Sequence, residues 1–157
     1  MEGWHGAAQD LVELDLRYTR QVLAALLPMC LTVLWHGFGV NLVHRFFRRF
    51  GRPALLHHHG FERSMVVVGC VGLLLLTHFG GVVIWAAFYF LIGLVDDVGK
   101  AMVFSMNAYT TLGASDIRLP RTWLGFGNFE SMTAMLMFGW STAVLANIVQ
   151  RFHTIDD

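Results

Sequence analysis

The chain has 157 residues, of which 55% are hydrophobic and only 14% are charged. Soluble domains carry roughly 25% charged residues, so this composition is far from theirs. Eleven basic residues balance eleven acidic ones, and the absence of net charge gives no support for a nucleic-acid partner. The composition excludes a disordered chain and predicts an all-α membrane protein whose solvent is lipid.

Three apolar segments predict three transmembrane helices. The first covers residues 22–43 and the second residues 64–95, and neither run contains Asp, Glu, Lys or Arg. The third covers residues 129–152 around an uncharged run from Ser131 to Gln150. Each run reaches the roughly 20 residues that a helix needs to cross the hydrocarbon core. Cys30 and Cys70 lie inside these runs and are expected to act as small apolar side chains.

Basic residues predict the orientation of the chain. The loop of residues 44–63 holds five arginines against the single acid Glu62, so this loop is expected in the cytoplasm. The N-terminal segment, residues 1–21, and the segment of residues 96–128 are then extracytoplasmic, and the tail of residues 153–157 is cytoplasmic. The arginines of the 44–63 loop are also expected to contact anionic lipid headgroups.

The segment between the second and third predicted spans has an unusual pattern. Asp96 and Asp97 precede a helical stretch over residues 98–109, which is too short to cross a membrane. Small and polar residues follow up to Pro120. Such a backbone persists at membrane depth only where protein or water surrounds it, which favours a re-entrant loop. The carbonyl end of the half-helix would then face a cavity and favour a cation.

The residues of this segment resemble the pore signature of potassium channels, A-x-Y-F-S followed by T-T-V/L-G-Y-G-D. Residues 101–105 read A-M-V-F-S and residues 109–116 read Y-T-T-L-G-A-S-D. Residues 85–89, W-A-A-F-Y, resemble the end of the helix that precedes the pore. Residues 129–132 and 138–143 resemble the inner helix of three-span bacterial members of the potassium channel family. Residues 22–150 follow the order of that family.

The resemblance implies a homotetramer in the bacterial inner membrane. It also implies a pore helix and a selectivity filter between the second and third spans. The filter would comprise Thr111, Leu112, Gly113, Ala114 and Ser115, whose main-chain carbonyls replace the hydration shell of potassium ions. Asn107 and Asp116 would hydrogen-bond behind the filter. Potassium, or sodium, would be the permeant ligand, and no other cofactor is expected.

Two filter positions depart from the family pattern. Ala114 replaces the family's tyrosine and Ser115 replaces a glycine. We expect a wider, hydrated outer filter with weak preference for potassium over sodium. The alternative is that Tyr109, Phe104 or Trp123 takes over the bracing role and the usual path survives. Two further functions remain open: a weakly selective monovalent-cation channel, and a non-conducting scaffold or modulatory subunit with a collapsed filter.

Several other side chains have two interpretations each. His36 and His78 lie within apolar spans, where they either respond to protons or form neutral hydrogen bonds to a neighbouring helix. His57, His58 and His59 are more consistent with a loop than with a metal site. Glu130 is interpreted as a rim acid at the start of the third span, the alternative being a tie to the pore loop.

The third span itself carries a stripe of small and flexible residues at helical spacing. The stripe predicts a close-packed interface or a cavity-lining face, and Gly139 within it is a candidate hinge. Its members are Met132, Met135, Leu136, Gly139, Thr142, Ala143 and Ala146.

No phosphate-binding loop, dinucleotide fingerprint, zinc motif or paired-cysteine motif occurs in the chain. We therefore expect no enzymatic activity.

Overall fold

The protein is all-helical over the residues described by the computed structural model, which are 2–51, 60–113 and 116–153. Side chains are described from residue 16 onward, except those of Arg17 and His153. The helices are α1 (Glu2–Phe46), α2 (Gly60–Leu91), α3 (Val98–Tyr109) and α4 (Phe126–His153). A π-helical segment, Phe47–Gly51, continues α1, and a 3-10 turn, Arg121–Trp123, precedes α4.

Within the described residues, three helical stretches are long and apolar enough to cross a membrane: Tyr18–Gly51, Gly60–Leu91 and Arg121–Phe152. This confirms the prediction of three apolar helices of membrane-spanning length. The helix α1 begins at Glu2, well before the predicted start of the span at residue 22. The polar residues that precede the apolar run are therefore helical as well.

The second span has the predicted 32 residues but begins and ends four residues earlier than predicted. Gly93, with φ of +71°, adopts the left-handed conformation that commonly ends helices. Immediately after it, the Leu94 N–H donates to the carbonyl of Tyr89 at 2.9 Å. The chain therefore leaves the helix before the last apolar residues of the predicted run.

Glycines allow α1 and α2 to approach closely. The indole N–H of Trp35 in α1 donates to the carbonyl of Thr77 in α2 at 2.9 Å. A Cβ atom added at Gly80 would lie 2.2 Å from Nε1 of that indole, and one added at Gly39 would lie 2.2 Å from Oγ1 of Thr77. Each helix thus places a glycine against a side chain of the other, and small residues at such contacts are common between membrane helices.

We expect Gly80→Ala to lower the free energy of unfolding by about 1–3 kcal/mol, because the rigid indole must move and strain its hydrogen bond. Gly72→Ala in the same helix is the matched control, since nothing lies within 4 Å of the added Cβ there. That change is expected to be neutral or stabilising by up to about 1 kcal/mol through helix propensity. Thermal unfolding in detergent, followed by tryptophan fluorescence, compares the two variants. Equal midpoints would contradict the close approach.

The two faces of α4 differ in burial. Ala134, Met137, Val144 and Ile148 are buried against the other helices. The opposite face, which includes Met132, Met135 and Leu136 from the predicted stripe, is exposed. The face that packs within the chain is thus the one opposite the stripe.

The short helix α3 packs between α2 and α4. Its buried side chains Ala101 and Tyr109 join a core cluster with Trp85 and Tyr89 of α2 and Phe126 of α4. This cluster holds the chain that follows α3 next to the first turns of α4.

Candidate functional site

Acidic side chains open α3 as the sequence predicts. Asp97 is the N-cap, and its Oδ1 accepts from the backbone N–H of Lys100 at 2.8 Å. Asp96 lies 3.7 Å from the Lys100 ammonium in an exposed ion pair. The helix Val98–Tyr109 has the predicted bounds, and its 12 residues span about 18 Å, well short of the hydrocarbon core.

The chain turns back on α3 directly after its last residue. The Thr111 N–H donates to the carbonyl of Ala108 at 3.0 Å. The N–H groups of Leu112 and Gly113 both donate to the carbonyl of Asn107, at 2.9 and 3.4 Å. Thr111 and Gly113 have φ angles of +59° and +66°, whereas Leu112 between them has a negative φ. Such alternation of handedness brings successive N–H groups to one side of the chain.

The carbonyl groups of this turn point the other way. In a planar trans peptide, the C=O of one residue is antiparallel to the N–H of the next, and the described chain has no cis peptide bond. Because the N–H groups of residues 111, 112 and 113 point toward α3, the carbonyls of Thr110, Thr111 and Leu112 point away from it. Two of these oxygens belong to residues of the predicted filter, Thr111 and Leu112, and the third belongs to Thr110, which the prediction did not include.

The first three predicted filter residues are exposed. The side chain of Leu112 is 69% exposed in a single chain, and Thr111 and Gly113 are exposed as well. The carbonyl of Gly113 shares its peptide with Ala114. Ala114 and Ser115 lie outside the described residues.

Three carbonyls of the last turn of α3 already have donors. Met106 O accepts from the hydroxyl of Thr110 at 2.7 Å, Asn107 O accepts from two N–H groups, and Ala108 O accepts from the hydroxyl of Ser131 at 2.6 Å. The sequence predicted that the carbonyl end of this helix faces a cavity, but these three oxygens are hydrogen-bonded within the protein. The helix dipole still adds negative potential beyond the end of α3.

Asn107 and Asp116 are not joined by a hydrogen bond between their side chains in the described part of the chain. Asp116 is exposed. The Asn107 side chain instead lines a cleft of about 450 Å³ beside the turn, together with Thr111, Gly113, Arg118, Asn128 and Ser131, among others. The observed contribution of Asn107 to the turn is its main-chain oxygen.

Tyr109, the third predicted supporting residue, is buried behind the turn. Its hydroxyl lies 3.1 Å from Nδ1 of His78, and its ring packs edge-on against Phe138. Gly81 provides the space for this side chain, because an added Cβ there would lie 2.8 Å from the tyrosine oxygen. Tyr109 is therefore fixed by both α2 and α4.

The hydrogen bonds continue from His78 to the first span. His78 Nε2 lies 2.9 Å from the hydroxyl of Ser141, which in turn lies 3.2 Å from Nε2 of His36. The two imidazole rings are 5.0 Å apart between centroids, and His36 is buried. Of the two interpretations of these histidines, hydrogen bonding to a neighbouring helix describes both.

Glu130 is fully buried, and its interpretation as a rim acid is wrong. Its Oε2 accepts from the hydroxyl of Tyr89 at 2.8 Å, and its Oε1 accepts from the hydroxyl of Ser105 in α3 at 2.5 Å. Because α4 begins at Phe126, Glu130 lies one turn inside the helix. It follows Phe126 by four residues and precedes Ala134 by four, a spacing that places it on the buried face and that could have revealed its position.

No group of three or more histidine, cysteine, aspartate or glutamate side chains converges within the described residues. His57, His58 and His59 lie outside them. Main-chain oxygens such as those of residues 110–112 are ligands that suit alkali ions better than transition metals.

No known protein family, curated protein or solved structure matches this chain.

Proposed function

We propose that the protein is a subunit of a homotetrameric, potassium-type cation channel. Its filter comprises Thr111, Leu112, Gly113, Ala114 and Ser115. The observation that carries the proposal is the row of carbonyl oxygens of residues 110–112, directed away from α3 by hydrogen bonds on the opposite edge of the chain. Such a row supplies oxygen ligands that replace the water around a dehydrated potassium ion.

Backbone strain supports the same assignment. Thr111 is β-branched, and its φ of +59° is an uncommon conformation for such a residue. Strained conformations of this kind concentrate at sites where geometry serves a function. Since Thr111 is also the residue whose hydroxyl would join the filter ligands, its conformation and its proposed role agree.

Exposed apolar surface supports the tetramer. One chain supplies one row of carbonyls, so a closed ring of ligands needs several copies related by symmetry. Leu112 and the stripe face of α4 are exposed in a single chain, so the other described helices leave them uncovered. We infer that four copies meet along these two surfaces and that the remaining apolar surface contacts lipid.

The orientation of the channel follows the distribution of basic residues. We propose a multi-pass protein of the bacterial inner membrane with its N-terminus outside and its C-terminus in the cytoplasm. The loop of residues 44–63 then lies at anionic headgroups.

A weakly selective filter is the second candidate, and one observation favours it. Asp116 is exposed, and no side-chain hydrogen bond to Asn107 occurs among the described residues, so we infer weaker support for the outer part of the filter. A wider outer filter would retain a hydrated ion and discriminate poorly between potassium and sodium. A non-conducting scaffold is the third alternative.

Flux measurements on purified protein in liposomes, with oligomeric state determined in parallel, test the proposal. A tetramer that passes potassium faster than sodium supports the leading assignment, whereas equal rates support the weakly selective channel. A tetramer without flux favours the scaffold. A monomer without flux would overturn the channel proposal. Liposomes without protein, and chloride flux through the same preparation, provide the controls.

A further inference from the structure

A continuous chain of hydrogen-bonded side chains connects the first span to the end of α3. It runs from His36 through Ser141 and His78 to Tyr109, with distances of 3.2, 2.9 and 3.1 Å. Its four members belong to four different helices: α1, α4, α2 and α3, respectively. Residues that are 105 positions apart in sequence, His36 and Ser141, are thus direct partners.

The available hydrogens give the hydrogen-bond chain a direction. The hydroxyl of Ser141 carries one hydrogen and contacts two imidazole nitrogens, so at least one of the two imidazoles donates to it. Among the described residues, the partner of the buried Tyr109 hydroxyl is His78 Nδ1, and a buried O–H without an acceptor is costly. Tyr109 therefore donates to Nδ1 of His78, and the neutral His78 ring, protonated at Nε2, donates to Ser141. The hydrogen of Ser141 is then available to Nε2 of His36, and we assign it there.

We propose that His36, Ser141 and His78 are positioning residues for Tyr109, and that the first span acts through them on the filter. Tyr109 is the last residue of α3, two positions before Thr111, so a shift of its ring moves the start of the carbonyl row. The ionic consequence rests on the channel function proposed above. The hydrogen-bond chain itself is independent of that function.

Nitrogen chemical shifts of the histidines test the chain without any reference to conduction. Full-length protein labelled with ¹⁵N-histidine is measured by solid-state NMR in lipid bilayers. His78 is expected to be protonated at Nε2 and unprotonated at Nδ1. Tyr109→Phe should shift the His78 Nδ1 resonance and, through Ser141, the Nε2 resonance of His36. In a Ser141→Ala background the same change should leave His36 unmoved.

A double-mutant cycle tests the effect on the filter. His36→Phe keeps an aromatic ring but removes both nitrogens, and Tyr109→Phe removes only the hydroxyl. If the hydrogen-bond chain couples these two residues, the double variant changes the potassium-to-sodium flux ratio by about as much as the stronger of the two single variants. Without coupling, it changes the ratio by the product of the two single effects. Thr32→Val with Tyr109→Phe is the control pair, because the buried Thr32 hydroxyl donates to Pro28 O within α1, and those factors should multiply. If His36→Phe does not fold, Ser141→Ala takes its place in the cycle.

The outcomes separate the two proposals. If Tyr109→Phe shifts the His36 resonance but the wild-type protein shows no flux, the hydrogen-bond chain is supported and the channel proposal is not. If the wild-type protein shows flux but Tyr109→Phe does not shift the His36 resonance, the hydrogen-bond chain is overturned and the channel proposal is unaffected. The hydrogen-bond chain would also be overturned if the effects of His36→Phe and Tyr109→Phe on the flux ratio multiply, or if His78 is protonated at Nδ1.

Discussion

Replacement of Glu130 by alanine is expected to lower the free energy of unfolding by about 2–5 kcal/mol, the largest effect on stability that we anticipate. The change removes the acceptor of the Tyr89 hydroxyl and one of the two acceptors near the Ser105 hydroxyl, and it opens a cavity between three helices. Ser105 keeps the carbonyl of Val82, so the unpaired Tyr89 hydroxyl and the cavity account for most of the loss. Thermal midpoints in detergent measure it.

Two further variants make this experiment specific. Glu62→Ala removes an acid from the exposed first turn of α2 and is expected to change the midpoint very little. Tyr89→Phe removes only the hydroxyl that donates to Glu130 and should cost about 1 kcal/mol. A Glu130→Ala protein as stable as the Glu62→Ala protein would show that the buried carboxyl does not hold α3 in place.

Thr111→Gly is expected to raise the stability of the protein and to lower the ion selectivity of the proposed channel. Left-handed backbone costs a residue with a side chain roughly 1–2 kcal/mol, and glycine avoids this cost while losing roughly 0.5–1 kcal/mol through the entropy of the unfolded chain. The net result should be stabilisation by up to about 1 kcal/mol per subunit. The loss of the hydroxyl should at the same time lower the potassium-to-sodium flux ratio about tenfold, equivalent to about 1.4 kcal/mol.

The neighbouring threonine supplies the matched control. Thr110 has φ of −82°, and its hydroxyl donates to Met106 O, so Thr110→Gly should destabilise the protein by about 1 kcal/mol. Thermal unfolding and paired flux assays in potassium and sodium distinguish the variants. Unchanged selectivity in Thr111→Gly would show that the Thr111 hydroxyl is not a ligand of the permeating ion.

Local signals made the helices predictable from sequence. The acids at 96 and 97, followed by a helical stretch that ends before small and polar residues, predict α3 with the bounds it has. The absence of charge over long apolar runs likewise predicts three helices long enough to span a membrane. These signals are contained in about 10–30 consecutive residues each, which is why no knowledge of tertiary packing is needed.

The polar contacts between helices could not be predicted in the same way. Whether Ser141 contacts His36 depends on how α1 and α4 are rotated about their axes, and apolar spans constrain that rotation weakly. Glu130 was misplaced because the helix begins at Phe126 rather than near residue 129. The left-handed Thr111 has no sequence signal, since β-branched residues ordinarily avoid that conformation.

The hydrogen bonds that α4 makes with the other helices determine where it is able to bend. Glu130 and Ser131 tie its start to α3, and Ser141 ties its middle to α1 and α2. The candidate hinge Gly139 lies between these anchor points and is therefore restrained on both sides. Beyond Ser141 the helix packs through apolar side chains such as Val144, Ile148 and Phe152, which tolerate sliding because dispersion contacts have little directionality. Bending or shear of α4 should thus concentrate in its last three turns. In the tetramer proposed above, such a movement would leave the carbonyls of residues 110–112 undisturbed.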